Sequence, residues 1–364
     1  MRLLITAGGT GGHVYPALTV AAKLPGSQIL WIGSVGGMER ELVTREGIEF
    51  ETIQGGAVVG VGALGAIIGL IKLALGTLQA FSIVNRFKPE ALYVTGGFTA
   101  IPVTLVCWLL RIPILVYLPD IEPGSAVKLV ARFAATVAVT AEESRMYFPK
   151  KNVVVTGYPL RGALFAATRE AATLQFKLLP SRQTLLVFGG SRGARSINLA
   201  LLDILDDLLD EIQIIHISGE LDWETVQARR ARLSESKMNQ YHAFPYLHED
   251  MALAFAASDL VVCRAGASTL GEFPMMSLAA ILVPYPHAWR YQKVNADYLA
   301  GRGAAIRLND EDLKTKLLTM IRTVMRDPEH LSAMRQAARV LAVPDAADRI
   351  AAELLKFASH AKRP

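Results

Sequence analysis

Two glycine-rich turns carry the residues best able to do chemistry in this chain. The first, Gly8-Gly9-Thr10-Gly11-Gly12-His13, follows the apolar run Leu3 to Thr6 and precedes Pro16 and a helical pattern from Ala17 to Leu24. Glycines between a strand and a helix let backbone amides approach a ligand, and a helix N-terminus favours negative charge, so the expected guest is a phosphate or a developing anion. The spacing fits neither a Walker A loop nor the dinucleotide fingerprint, and no lysine follows, which weighs against ATP and NAD. His13, expected at the tip of the turn, is the candidate general base, the bland alternative being a helix cap. The second turn, Gly189-Gly190-Ser191-Arg192-Gly193-Ala194-Arg195, repeats the device. Ser191 and the amides after it could hold a diphosphate without a metal.

A third motif, Cys263-Arg264-Ala265-Gly266-Ala267-Ser268-Thr269-Leu270-Gly271-Glu272, follows the apolar run Leu260 to Cys263. Its small residues open a turn, and Glu272, about one helical turn further, could accept hydrogen bonds from both ribose hydroxyls. Gln292 and Asn295 stand three apart on one helical pattern, and paired amides suit a sugar because each offers a donor and an acceptor.

The elements that must position these residues alternate along the chain. Strand-like runs at 3–6, 28–32, 91–94, 114–117, 136–139 and 153–156 are separated by helical patterns, and the series restarts at 184–191 with further runs at 212–217, 240–243, 260–263 and 280–283. Alternation of this kind predicts parallel sheets with crossover helices, and the restart predicts a second domain. We expect an α/β chain of two doubly wound domains facing each other across a cleft, with ligands at the carboxyl ends of strands. A length of 364 residues fits that number. The expected bounds are 1–160, 161–340, and a C-terminal helix over 341–364 that packs back on the first domain.

With 52% hydrophobic residues and a mean hydropathy of +0.31, the chain is greasier than an average soluble protein, which makes membrane contact a live question. A net charge of +5 suits phosphate ligands or anionic lipid, and no helix-turn-helix, zinc finger or basic arm supports nucleic acid. The two cysteines, Cys107 and Cys263, sit in apolar runs and read as reduced core residues. No metal centre and no cofactor is expected. The N-terminal apolar run is too short for a signal peptide, so the expected location is cytoplasmic. Residues 55–81 carry a single charge, Lys72, but seven glycines leave only about 12 to 16 residues of good helix, short of a bilayer span. Ile67, Ile68, Leu70, Ile71, Leu73 and Leu75 are therefore expected to form an apolar face that dips into a membrane surface, a buried core helix being the alternative.

The motifs together resemble the MurG family of N-acetylglucosaminyltransferases, which convert lipid I to lipid II in peptidoglycan synthesis. The likeness rests on GGTGGH with Pro16-Ala17-Leu18, GYPLR at 157–161, GGSRGA at 189–194, CRAGASTLGE at 263–272 and QKVNA at 292–296. It implies a GT-B fold and an inverting, metal-independent transfer from UDP-N-acetylglucosamine to an undecaprenyl-linked acceptor on the inner face of the cell membrane. By the same likeness Thr10, Gly11 and Gly12 face the donor phosphates and sugar, Arg161 and Ser191 the diphosphate, and His248 the uracil edge through its backbone. Ala267, Ser268, Thr269, Leu270, Gly271 and Glu272 meet the sugar and ribose, and Gln292 the N-acetylglucosamine, while His13 is the candidate base. Two departures stand out. The family's His-Glu-Gln-Asn segment reads Tyr117-Leu118-Pro119-Asp120 here, so Asp120 is a second candidate to act as base or to orient His13, and Tyr158 replaces an asparagine. The altered segment keeps open a different lipid acceptor, and a sugar-nucleotide epimerase or a non-catalytic binding protein are the further alternatives.

Overall fold

The computed structural model describes residues 1–8, 11–37, 39–56, 62–97, 99–190, 193–248, 250–287 and 291–361. The chain divides into two compact units, Met1–Leu160 with Val343–Pro364, and Arg161–Ala342.

In the first unit the strands are β1 (Arg2–Thr6), β2 (Gln28–Ser34), β3 (Glu49–Ile53), β4 (Ala91–Val94), β5 (Ile114–Leu118), β6 (Thr136–Val139) and β7 (Val153–Val155). They form one parallel sheet in the order β3-β2-β1-β4-β5-β6-β7. Leu3, Leu4 and Ile5 have no exposed surface, because helices cover both faces of such a sheet and its central strands must be apolar throughout. One face packs on the helices Ala63–Phe87 and Ala100–Leu109 through Ile83, Val84, Val103 and Val106. The other packs on Gly11–Ala22 and Ala346–Ala361 through Val14, Val20, Ile350 and Leu354.

The second unit repeats the plan with β8 (Thr184–Phe188), β9 (Gln213–Ile217), β10 (Tyr241–Phe244), β11 (Leu260–Cys263), β12 (Ala279–Leu282) and β13 (Ala305–Arg307), in the order β10-β9-β8-β11-β12-β13, again parallel. In each sheet the strand order reverses at the first strand of the unit. The loops leaving β1 and β4, and those leaving β8 and β11, therefore diverge to opposite sides and open a crevice at the strand ends. Gly8, Gly189, Gly190, Gly193 and residues 264–268 fall on these loops.

Three local features differ from the sequence expectation. Strands β3 and β13 carry no strong signal because each lies at a sheet edge and is short, and Glu49-Phe50-Glu51-Thr52-Ile53 has only two large apolar residues and breaks alternation at Glu51-Thr52. Gly11, Gly12 and His13 form the first turn of the helix Gly11–Ala22, so His13 is not at a loop tip. Glycine's low helix propensity matters little there, since the first turn makes no intrahelical N–H bonds. The apolar helix runs 25 residues, Ala63–Phe87, through glycines expected to break it. Tertiary packing overrides propensity: a Cβ on Gly76 would lie 2.1 Å from the Gln54 carbonyl oxygen, so the glycine admits the strand-end loop against the helix.

The stretch Ile67–Phe87 is long and apolar enough to cross a bilayer by length and composition, yet only its Gly69, Gly76, Ala80, Ile83 and Val84 flank is buried. Ile67, Ile68, Leu70, Ile71 and Leu75 are 46–63% exposed, and Leu78 and Phe81 extend the same face. Leu73 departs from that group, being half-buried against the domain. Cys107 and Cys263 are buried free thiols, and burial pushes Cys107 up to about 12.

His216 on β9 is fully buried, and burial pulls its imidazole down to about 3. The unfolded chain then takes a proton at an ordinary histidine value near 6.5 that the folded chain refuses, so stability is full above that value and falls as pH drops toward 3. We expect urea unfolding of the wild type to lose stability more steeply with acidification than His216→Gln, by up to about 1.4 kcal/mol per pH unit. Parallel slopes between pH 6 and 4 would contradict it.

Candidate active site

In the first unit the site is built on the loops leaving β1 and β4. His13 Nδ1 lies 2.7 Å from the Thr95 carbonyl oxygen, and the Thr95 hydroxyl donates to the His13 carbonyl at 2.8 Å. A carbonyl oxygen only accepts, so Nδ1 carries a proton, which leaves Nε2 as the nitrogen able to accept one. Thr95 stands at the head of a glycine pair, and a Cβ on Gly96 (φ +140) would lie 2.9 Å from the imidazole. The ring therefore rests against bare backbone.

Thr95-Gly96-Gly97, the turn that holds His13, is missed by the motif reading, although its grammar, an apolar strand ending in Gly-Gly before a helix, is that of Gly8-Gly9. Glu39 is missed as well. It is 1% exposed, its Oε1 accepts from the Ser34 amide (2.9 Å) and hydroxyl (2.8 Å), and its carboxylate occupies the space beside Gly8. An acid in a helical first turn reads as an exposed residue, and no spacing marks this one as the floor of the glycine turn.

Asp120 is half-buried just beyond β5. The Nδ1 position through which a carboxylate would orient His13 is taken by the Thr95 carbonyl. Tyr117 is fully buried and donates from its hydroxyl to the Gly157 carbonyl at 3.2 Å, so at this position the chain ties β5 to the Gly157 turn.

In the second unit, Arg161 and Glu272 come together with Nη2 3.3 Å from Oε1. Glu272 lies in the first turn of the helix Thr269–Met276, and burial raises its carboxyl above the ordinary range while Arg161 and Ser268 pull it back. Ala267 and Ser268 are half-buried at the entry to that helix, and Thr269, Leu270 and Gly271 are buried in it. Gln292 and Asn295 share the helix Tyr291–Ala300 but serve different ends. Gln292 Oε1 accepts from the Tyr285 amide at 2.8 Å, whereas Asn295 has no exposed surface and donates to the Ala265 carbonyl at 3.1 Å. Asn295 therefore braces the 263–268 turn and does not form a matched amide pair with Gln292 at the surface. His248 is exposed, with its ring 4.6 Å from that of Tyr246.

The turn after β8 places Gly190 (φ +92) and Gly193 (φ +76) ahead of the helix Arg195–Asp203. Thr10 and Ser191 lie outside the described residues. The triplet Asp310-Glu311-Asp312 has Asp-x-Asp form, but Asp310 accepts from Arg264 and Ser196, and Asp312 pairs with Lys316. Its two aspartates are thus engaged by the protein's own cations and hydroxyl.

Two doubly wound parallel sheets, each with its glycine turns at the point of strand reversal, define the GT-B fold. The glycosyltransferase family 28 N-terminal domain matches residues 3–139 and the family 28 C-terminal domain matches residues 184–350. The chain belongs to glycosyltransferase family 28 and, within it, to the MurG family. A relative from Roseiflexus sp. (strain RS-1), named UDP-N-acetylglucosamine--N-acetylmuramyl-(pentapeptide) pyrophosphoryl-undecaprenol N-acetylglucosamine transferase, is 40% identical and aligns with 96% of this chain and 94% of its own. A protein of the same name from Moorella thermoacetica is 37% identical, with 98% and 99% covered. The crystal structure of Acinetobacter baumannii MurG superposes with a TM-score of 0.78 at 30% identity, covering 98% of this chain and 99% of that one. A UDP-GlcNAc 2-epimerase from Neisseria meningitidis, at 12% identity and TM-score 0.72 over 98% of this chain and 100% of its own, shares the fold.

Proposed function

We propose that this glycosyltransferase moves N-acetylglucosamine from UDP-N-acetylglucosamine to lipid I, undecaprenyl-pyrophosphoryl-N-acetylmuramyl pentapeptide, making lipid II with inversion and without a metal. The relatives of near-full length carry this activity in their names. The observation that carries the chemistry is the fixed tautomer of His13, which offers Nε2 to the proton of an incoming hydroxyl. In this reading Thr10, Gly11 and Gly12 face the donor phosphates and sugar, the Thr95-Gly96-Gly97 turn seats His13, and His13 and Asp120 stand on the acceptor side. Arg161, Ser191 and the amides after β8 take the charge that develops on the leaving diphosphate. Glu272 receives the ribose hydroxyls, residues 267–271 and Gln292 the sugar, and the backbone at His248 the uracil edge. Asn295 holds the turn that shapes this pocket.

The acceptor's polyprenyl tail calls for a bilayer surface, and the exposed Ile67 to Phe81 face supplies an apolar stripe for it. We infer a peripheral position on the cytoplasmic leaflet. Replacing Ile71, Leu75 and Leu78 together by glutamate is expected to abolish flotation with phospholipid vesicles while leaving the melting temperature within about 2 °C, since all three are exposed. Unchanged flotation would contradict the docking role.

Incubating the purified protein with UDP-N-acetylglucosamine, with and without lipid I in vesicles, tests the reaction class. UDP release that requires the lipid is expected. A new sugar nucleotide formed from the donor alone would instead favour epimerase chemistry.

A further inference from the structure

We propose that His216 is a positioning residue for the glycine turn after β8, acting through Asn198. Nε2 of His216 lies 3.0 Å from Asn198 Oδ1, and Nδ1 lies 2.6 Å from the Tyr241 hydroxyl. The Asn198 Nδ2 group reaches the Ser218 carbonyl at 2.8 Å and Asp222 Oδ2 at 2.8 Å. The orientation of this amide is forced by chemistry. Turned the other way, its oxygen would face a carbonyl and a carboxylate, neither of which can donate. With Oδ1 toward the ring, Nε2 must be the donor, and Nδ1 then accepts from Tyr241. The chain of donors thus runs Tyr241 to His216 to Asn198, and Asn198 spends both amide protons on Ser218 and Asp222. His216, Asn198 and Tyr241 are 0–1% exposed, so each of these bonds is made in a site closed to water.

The far end of this chain is the turn itself. Asp222 Oδ1 accepts from Arg195 at 2.8 Å, the first residue of the helix that the turn leads into. The Ser218 carbonyl oxygen lies 2.4 Å from where a Cβ on Gly193 would stand, so the strand-end backbone forms a wall against the turn. Asn198 holds that same carbonyl from the helix side. Gly193, Ala194 and Arg195 are therefore clamped from Ser218, Asp222 and Asn198, and His216 supplies the donor that Asn198 Oδ1 needs to hold this orientation. A residue that only filled the core could be apolar, but an apolar side chain at 216 would leave Asn198 Oδ1 buried without a donor.

The inference rests on the reading of this turn as the cradle of the donor diphosphate. It is tested on the full chain by measuring UDP binding calorimetrically, steady-state KM and kcat for UDP-N-acetylglucosamine, and melting, in wild type, His216→Gln, His216→Phe and Asn198→Asp. Glutamine can donate to Asn198 and accept from Tyr241, so we expect affinity within about threefold of wild type. For His216→Phe and Asn198→Asp we expect UDP affinity to fall by about tenfold or more, with KM rising more than kcat falls. Leu317→Ala, which opens the same core away from the turn, is the control that lowers melting temperature without weakening UDP. Wild-type affinity in folded His216→Phe or Asn198→Asp overturns the proposal, as does a loss in Leu317→Ala equal to theirs. Wild-type protein that fails to bind UDP would overturn the donor-site reading itself. Should His216→Phe not fold, Asn198→Asp alone decides the question.

Discussion

His13→Ala is expected to lower turnover by about 10² to 10⁴ while UDP binds with wild-type affinity, the loss typical of removing a positioned base. The imidazole is locked by Nδ1–H to the Thr95 carbonyl and rests on Gly96, so its Nε2 is directed before substrate arrives. Preset direction of this kind is what makes a base effective, because no reorganisation is needed at the moment of transfer. His13→Gln keeps a donor toward Thr95 but has no basic nitrogen, and should be as inactive as alanine. Steady-state kinetics with saturating acceptor, beside UDP calorimetry, separates the two effects. Turnover within threefold of wild type in either variant would remove His13 as base and turn attention to Asp120.

The second large effect is expected at Arg161. Removing one donor to a developing charge costs about 10² to 10³ in rate. Arg161 Nη2 lies 3.3 Å from Oε1 of buried Glu272, and in the proposed reading this guanidinium meets the leaving diphosphate. Arg161→Ala should lower kcat by about that factor, and chelation by EDTA should leave wild-type turnover unchanged, because Arg161 and turn amides then carry the work a metal would do. Arg161→Lys keeps the charge without the forked geometry and should fall between. Abolition of wild-type activity by EDTA would contradict the metal-free assignment. The alanine variant also leaves the Glu272 carboxyl buried without its cation, which raises it further, so as pH falls its donor affinity should weaken at a higher pH than that of the wild type.

The class of fold is legible in the sequence because buried parallel strands must be apolar throughout, and Leu3-Leu4-Ile5 or Val261-Val262 announce themselves wherever they occur. The glycine turns are legible for a related reason: only a missing Cβ lets backbone approach a ligand or a neighbouring strand this closely. What escapes is whatever depends on partners distant in the chain. The edge strands β3 and β13 are held by one neighbour each and need no apolar pattern. The helix Ala63–Phe87 persists through Gly69 and Gly76 because Gly56, Gln54 and Pro102 close against them, and no local propensity records those contacts. Thr95, 82 residues from His13, selects its tautomer; Glu39 becomes a floor only once β1 and β2 are paired. Asn295 shows the converse. Three residues from Gln292 on the same helix, it faces the Ala265 carbonyl, and burial separates two amides that spacing alone would join.

Transfer to the acceptor is the most direct measurement. Purified protein, UDP-N-acetylglucosamine labelled in the sugar, and vesicles holding equimolar lipid I and diacylglycerol are incubated together, and the lipid products are separated. Label in lipid II alone is the expected result; label in glycosylated diacylglycerol, or none in any lipid while the donor is consumed, would contradict it.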